Sequence, residues 1–183
     1  MDRKRMLREM LEIALVTALL CILSPIALPI GPVPITLGVF AAYLAAFILG
    51  SKKAMMSYAL YLLLGMAGLP VFSGYTGGIA KLLGPTGGYL LGMLFMTGIT
   101  GFFVERYIGK KNSMLLLGML LSAIVNYIFG TTWLALQTNL TLAQALMAGV
   151  VPFLPADGVK LCLAFLVGLP LHKQLRRVKQ KNV

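Results

Sequence analysis

Three charged side chains stand inside otherwise apolar stretches: Lys81, Asp157 and Lys160. A charge at the middle of a membrane helix costs about 2.5–3.5 kcal/mol on insertion scales, so a charge that persists there implies a use. Asp157 and Lys160 are three residues apart, and on a helix beginning near Pro155 they share a face in the first turn, with the carboxylate favourably close to the helix N-terminus. One reading is an ion pair that fixes the depth of the helix. The other is a polar anchor: a carboxylate that accepts N–H bonds, beside ammonium groups that take an anion, suits a small ligand bearing both amide-like groups and an acid. Lys81 brings a second cation to the same side, and the run Pro152-Phe-Leu-Pro-Ala-Asp157 holds the backbone stiff beside the pair.

Neutral groups cluster near these charges. Tyr127, Gly130 and Trp133 recur at three-residue intervals, with Asn126 in the same turn. They form either an interfacial aromatic belt or a stacking wall for a ring-shaped ligand, and the amide is expensive to leave unpaired in hydrocarbon. Two glycine-dense stretches, Gly68–Gly78 and Gly84-Pro-Thr-Gly-Gly-Tyr89, permit tight turns and close backbone approach. Catalysis is not expected. The single histidine, His172, falls at the basic end of the last apolar segment; no phosphate-cradling motif is present; Cys21 and Cys162 read as packing residues, with neither a disulfide nor a metal site.

The elements that position these residues follow from composition. The 183 residues are 59% hydrophobic and 11% charged, with a mean hydropathy of +0.90. Soluble domains are about 25% charged, so a water-soluble globular domain is excluded and the bilayer is the solvent. A net charge of +11 would suggest nucleic acid, but the basic residues sit at both ends and in two short interior clusters, Lys52/Lys53 and Arg106/Lys110/Lys111, the pattern of cytoplasmic loops. The basic start followed by an apolar run also resembles a signal peptide, yet no small-x-small cleavage site follows and further spans do.

Cutting at charges and Pro/Gly-rich stretches predicts six spans: Ile13–Ile30, Pro34–Gly50, Ala54–Leu69, Gly84–Val104, Met114–Leu136 and Pro155–Leu171. With both termini and the 51–53 and 105–113 loops cytoplasmic, fourteen of the sixteen basic residues lie inside, leaving Lys81 and Lys160 outside with Asp157. Outer connections then fall at Gly31–Val33, Pro70–Leu83 and Gln137–Leu154. In the last of these Thr141-Leu-Ala-Gln144 fits a capping box, which predicts a short helix near 142–151 ended by Pro152 and Pro155. Asn139-Leu-Thr141 matches a glycosylation sequon. Small residues at four-residue spacing (Gly38, Ala42, Ala46, Gly50; Gly84, Gly88, Gly92) predict close helix packing, and Ala14/Ala18 form a similar pair near the charged N-terminal end, open to an outside partner.

These pieces together resemble a known family. Gly31-Pro-Val-Pro-Ile-Thr-Leu37, Gly68-Leu-Pro-Val-Phe-Ser-Gly74, Gly84-Pro-Thr-Gly-Gly-Tyr89, Tyr127-x-x-Gly-x-x-Trp133 and Pro152-Phe-Leu-Pro-Ala-Asp-Gly-Val-Lys160 resemble, in order and spacing, the biotin-specific substrate-binding (S) components of energy-coupling-factor (ECF) vitamin transporters, the BioY family. The resemblance implies an all-α, polytopic S-component fold of six transmembrane helices, one integral membrane domain over 1–183, multi-pass in the plasma membrane. Biotin would be the ligand, taken from outside, with no cofactor. Asp157 would meet the ureido N–H groups, and Lys160, with Lys81, the valerate carboxylate. Trp133, Tyr89 and Phe72 would wall the fused rings, with Asn126 and Tyr127 beside them. It also implies that Ala14 and Ala18 dock on a transmembrane coupling protein served by two ABC ATPase subunits, and that nucleic acid is no partner. Rival readings are a self-sufficient biotin carrier, alone or as a homodimer, an S component for another vitamin, and a small membrane enzyme or assembly factor acting on lipids.

Overall fold

A computed structural model describes residues 3–29 and 33–181, apart from the side chains of 5 and 179–181. The described elements are α1 (Arg3–Leu23), β1 (Ala27–Leu28), β2 (Ile35–Thr36), α2 (Gly38–Leu49), α3 (Ser51–Met66), α4 (Ile79–Leu83), α5 (Gly87–Tyr107), α6 (Asn112–Thr138), α7 (Leu142–Gly149) and α8 (Leu154–Lys181). The described residues are all-α apart from one two-residue antiparallel ladder and a single bridge between Phe72 and Thr76. Among the described residues three helices are long and apolar enough to cross a membrane: α5, α6 and the Leu154–Val178 stretch of α8. α1 has the length but carries Arg8, Glu9 and Glu12 in its first half. α2 and α3, with 12 and 16 residues, run about 18 and 24 Å, short of a hydrocarbon core of about 30 Å.

The expected segments differ from these helices mainly at three points. The first expected segment runs to Ile30, but α1 stops at Leu23, since Pro25 disfavours helical backbone at the residue before it. The chain then turns extended, and Ala27 and Leu28 pair with Thr36 and Ile35. The second segment therefore becomes helical at Gly38 instead of Pro34. Of the expected 31–33 connection, 31 and 32 lie outside the described residues. The third difference is at 51–53, read as a loop: one residue, Gly50 at φ +77°, separates α2 from α3. The Ser51 N–H donates to Glu105 Oε1 at 2.8 Å, so a carboxylate from α5 caps α3 and offsets Lys52 and Lys53 in its first turn.

α2 is the central helix, packed against α1, α3, α5 and α8. Ala41, Ala42, Ala45, Ala46 and Phe47 are fully buried, which its row of small residues permits. On α5, an added Cβ at Gly88 would strike Trp133 and the Phe129 carbonyl, and one at Gly92 would strike Asn126. These two glycines therefore set the approach of α5 to α6; Gly84 lies before the helix. Hydroxyls join other pairs: Thr17 to Ser57 at 3.0 Å between α1 and α3, and Thr100 to Ser122 at 2.8 Å between α5 and α6. Such bonds average about 0.6 kcal/mol in membrane proteins, so they align helices more than they hold them together. His172 Nδ1 lies 2.6 Å from the Phe47 carbonyl, a contact between α8 and α2.

The capping box forms as read. Thr141 and Gln144 exchange bonds between side chain and backbone, and α7 follows. Asn139, in the left-handed conformation at φ 52°, ends α6. Pro155 falls in the first turn of α8, where its missing N–H costs nothing. Ala14 and Ala18 face outward on α1.

Candidate functional site

The C-terminal halves of α1, α3 and α6 and the N-terminal halves of α2, α5 and α8 surround one cavity, closed over by the β1–β2 ladder and α7. Its side chains close in on it: about 60 Å³ is left for the centre of a water-sized sphere, and about 630 Å³ lies between the walls when the open mouth is counted. Most of the lining is apolar, with Val33, Ile35, Leu90, Met93 and Phe153 among it. Its polar groups are few and placed on particular elements.

Asp157 and Lys160 are both on the lining, on one face of α8 as their spacing predicts. Lys160 Nζ donates to Asp157 Oδ1 at 2.8 Å, and the Tyr127 hydroxyl donates to Asp157 Oδ2 at 2.7 Å. The carboxylate is thus held from α8 and α6 at once. Only 9% of the Lys160 side chain and 18% of the Asp157 side chain is exposed. A pair so far from water depends on its mutual contact, because either charge alone would lose hydration without replacement. Each Asp157 oxygen keeps acceptor capacity, and Lys160 keeps two N–H donors.

Asn126, one residue before Tyr127, is only 5% exposed. Among the described residues its Oδ1 has no partner, and neither does Ser24 Oγ, which lines the cavity from the end of α1. An unpaired buried acceptor costs about 1–3 kcal/mol unless something enters to bond it. Tyr89 lies against Gly130, where any Cβ would collide with the ring, and its hydroxyl donates to the Gly149 carbonyl at 2.8 Å. This fastens α7 over the cavity. The three-residue series thereby separates into distinct tasks: Tyr127 bonds the carboxylate, Gly130 makes room for Tyr89, and Trp133 Nε1 donates to the Gly84 carbonyl at 2.9 Å.

Three residues singled out from the sequence lie off the lining. Trp133 braces the turn that presents Thr86. Phe72 is fully buried and meets Tyr61 edge-on at 5.6 Å, supporting a lining ring from behind. Lys81 is half-buried on α4 and makes no ion pair among the described residues. The lining also includes groups that sequence reasoning passed over: Ser24, Thr36, Thr86 and Phe153. The last three belong to the Pro-Ile-Thr, Gly-Pro-Thr and Pro-Phe-Leu-Pro runs, so their segments were visible although their orientation was not. Ser24 had no such signal.

The BioY family model matches residues 1–177. The chain belongs to the BioY family. It is 38% identical over 170 residues to the biotin transporter BioY of Thermotoga maritima, covering 91% of this chain and 97% of that protein. It is 37% identical over 163 residues to the biotin transporter BioY2 of Lactococcus lactis, covering 89% of each. A crystal structure of the S-component for biotin from an ECF-type ABC transporter superposes with a TM-score of 0.87 at 33% identity, over 94% of this chain and 95% of that one. The BioY relatives are named as transporters, and the S-component likeness fixes the fold in which the Asp157–Lys160 pair is set.

Proposed function

We propose that this BioY-family chain is a biotin-binding S component, a single integral membrane domain that captures biotin from outside the cell. The observation that carries the reading is the Tyr127–Asp157–Lys160 chain on the wall of a mostly apolar cavity. Biotin has two ureido N–H donors, an apolar bicyclic body and a carboxylate tail. The free acceptor capacity of Asp157, joined by Asn126 Oδ1, answers the N–H groups; the free donors of Lys160 answer the carboxylate; Tyr89 and Phe153 line the apolar body. Trp133 and Phe72 act from behind the lining, and Lys160 is the principal cation, Lys81 standing apart.

In this reading α1, α2, α3, α5, α6 and α8 are the six membrane-crossing helices, with the extended 33–36 segment completing the short run of α2. Both termini are cytoplasmic, as the fourteen basic residues at that end favour, and the chain is multi-pass in the plasma membrane. Import is driven by a transmembrane coupling protein with two ATPase subunits, docked on the outward Ala14/Ala18 face of α1. The chain itself is no enzyme and needs no cofactor. Isothermal titration of biotin into the purified protein tests the binding step: saturable binding that dethiobiotin and free valerate do not match supports it, and the absence of saturable binding contradicts it.

A further inference from the structure

At the end of the molecule opposite the cavity, α5 carries two adjoining concavities that share Phe102. The first is apolar, a groove walled by Met55, Phe95, Ile99 and Phe103 with Gly98 at its floor. Gly98 leaves room there for the Met55 side chain, which a Cβ would strike. The second is ringed by Arg106, Lys110 and Lys111, with Tyr107 and Glu105. The two enclose about 630 and 1080 Å³, open space at their mouths included.

The positive-inside pattern explains which side these cations occupy, but not their placement over an apolar groove. Two other basic residues at this end are paired, Lys53 with Glu9 at 3.1 Å and Arg8 with Glu12 at 3.5 Å. Arg106, Lys110 and Lys111 form no ion pair among the described residues. Glu105, the one acid beside them, is engaged with the backbone N–H of Ser51. Three cations and one carboxylate leave this rim net positive above an apolar trough, the complementarity of an amphiphile with an anionic head and a hydrocarbon tail.

We propose that this face of α5 binds an anionic phospholipid of the surrounding bilayer, its phosphate held by Arg106, Lys110 and Lys111 and one acyl chain lying in the groove past Phe102 and Ile99. The site is independent of the vitamin cavity. Native mass spectrometry of the delipidated full-length protein, titrated with dipalmitoyl phosphatidylglycerol, tests it. The expected result is saturable binding that exceeds that of dipalmitoyl phosphatidylcholine and falls roughly fivefold for each charge removed in Arg106→Gln, Lys110→Gln and Lys111→Gln. Lys4→Gln, on α1 and in the lining of neither concavity, leaves it unchanged. Glycerol phosphate should compete poorly, because it lacks the chain. Equal binding of both lipids, an equal loss in Lys4→Gln, or full competition by glycerol phosphate would overturn the proposal.

Discussion

At the scale of single residues, the site depends on a carboxylate with two protein donors. Removing Asp157 strands Lys160 in a place that is only 9% exposed, and removing Lys160 leaves the carboxylate with Tyr127 alone. Truncating one partner of a buried charge pair costs about 2–5 kcal/mol, which is at least ~30-fold in Kd. Asp157→Ala and Lys160→Ala should each weaken biotin by that much in titration, and the double variant should be far less than additive because the two act as a unit. Tyr127→Phe removes one bond to a charged acceptor, about 1.5–3 kcal/mol, and should weaken biotin by about tenfold or more while the Asp157–Lys160 pair stays intact. Lys81→Ala should leave the affinity within about threefold, because Lys81 lies off the cavity lining and pairs with no carboxylate among the described residues. A loss as large as that of Lys160→Ala would place Lys81 in the binding set after all. The pair was legible from the sequence because charge in hydrocarbon is conspicuous and a three-residue spacing fixes a shared face. The off-lining positions of Trp133 and Phe72 were not, because an aromatic ring in a membrane protein is equally at home in a wall or behind one.

At the scale of elements, local chemistry decided what could be foreseen. The Thr141/Gln144 box stated a helix start outright, and α7 begins there. Thr141→Ala should cost about 1 kcal/mol in thermal unfolding, with binding weakened further because α7 is fastened over the cavity by Tyr89. The α5–α6 contact is equally specific: Gly130→Leu must displace the Tyr89 ring, and should abolish high-affinity binding even where the protein remains folded by circular dichroism. The β1–β2 ladder escaped sequence reasoning, since Pro34 suits a helix start as well as an extended strand, and only pairing with 27–28 across intervening residues selects the second. The short α4 and the absence of a 51–53 loop escaped it for the same reason. Glu105 caps Ser51 from 54 residues away, a contact no local pattern announces.

For the whole molecule, polarity runs from end to end. One end gathers the cavity and its buried ion pair; the other gathers the basic residues, the one-residue Gly50 link between α2 and α3, and the anionic-lipid face of α5. Between them α1 turns Ala14 and Ala18 outward among exposed apolar side chains such as Met10, Leu11 and Leu15. If that face docks the coupling protein, Ala14→Trp and Ala18→Trp should abolish coupled biotin uptake in cells while leaving biotin binding by the purified chain intact; uptake at the parental rate would remove α1 from the interface. The measurement that tests the account most directly is a mass-spectrometric assay of small molecules released from the protein purified out of biotin-fed cells. Stoichiometric biotin on the parental chain, and its loss from a folded Lys160→Ala variant, is the predicted result. Protein that carries no biotin, or a Lys160→Ala chain that carries as much as the parent, would contradict the claim that this cavity holds the vitamin through its buried ion pair.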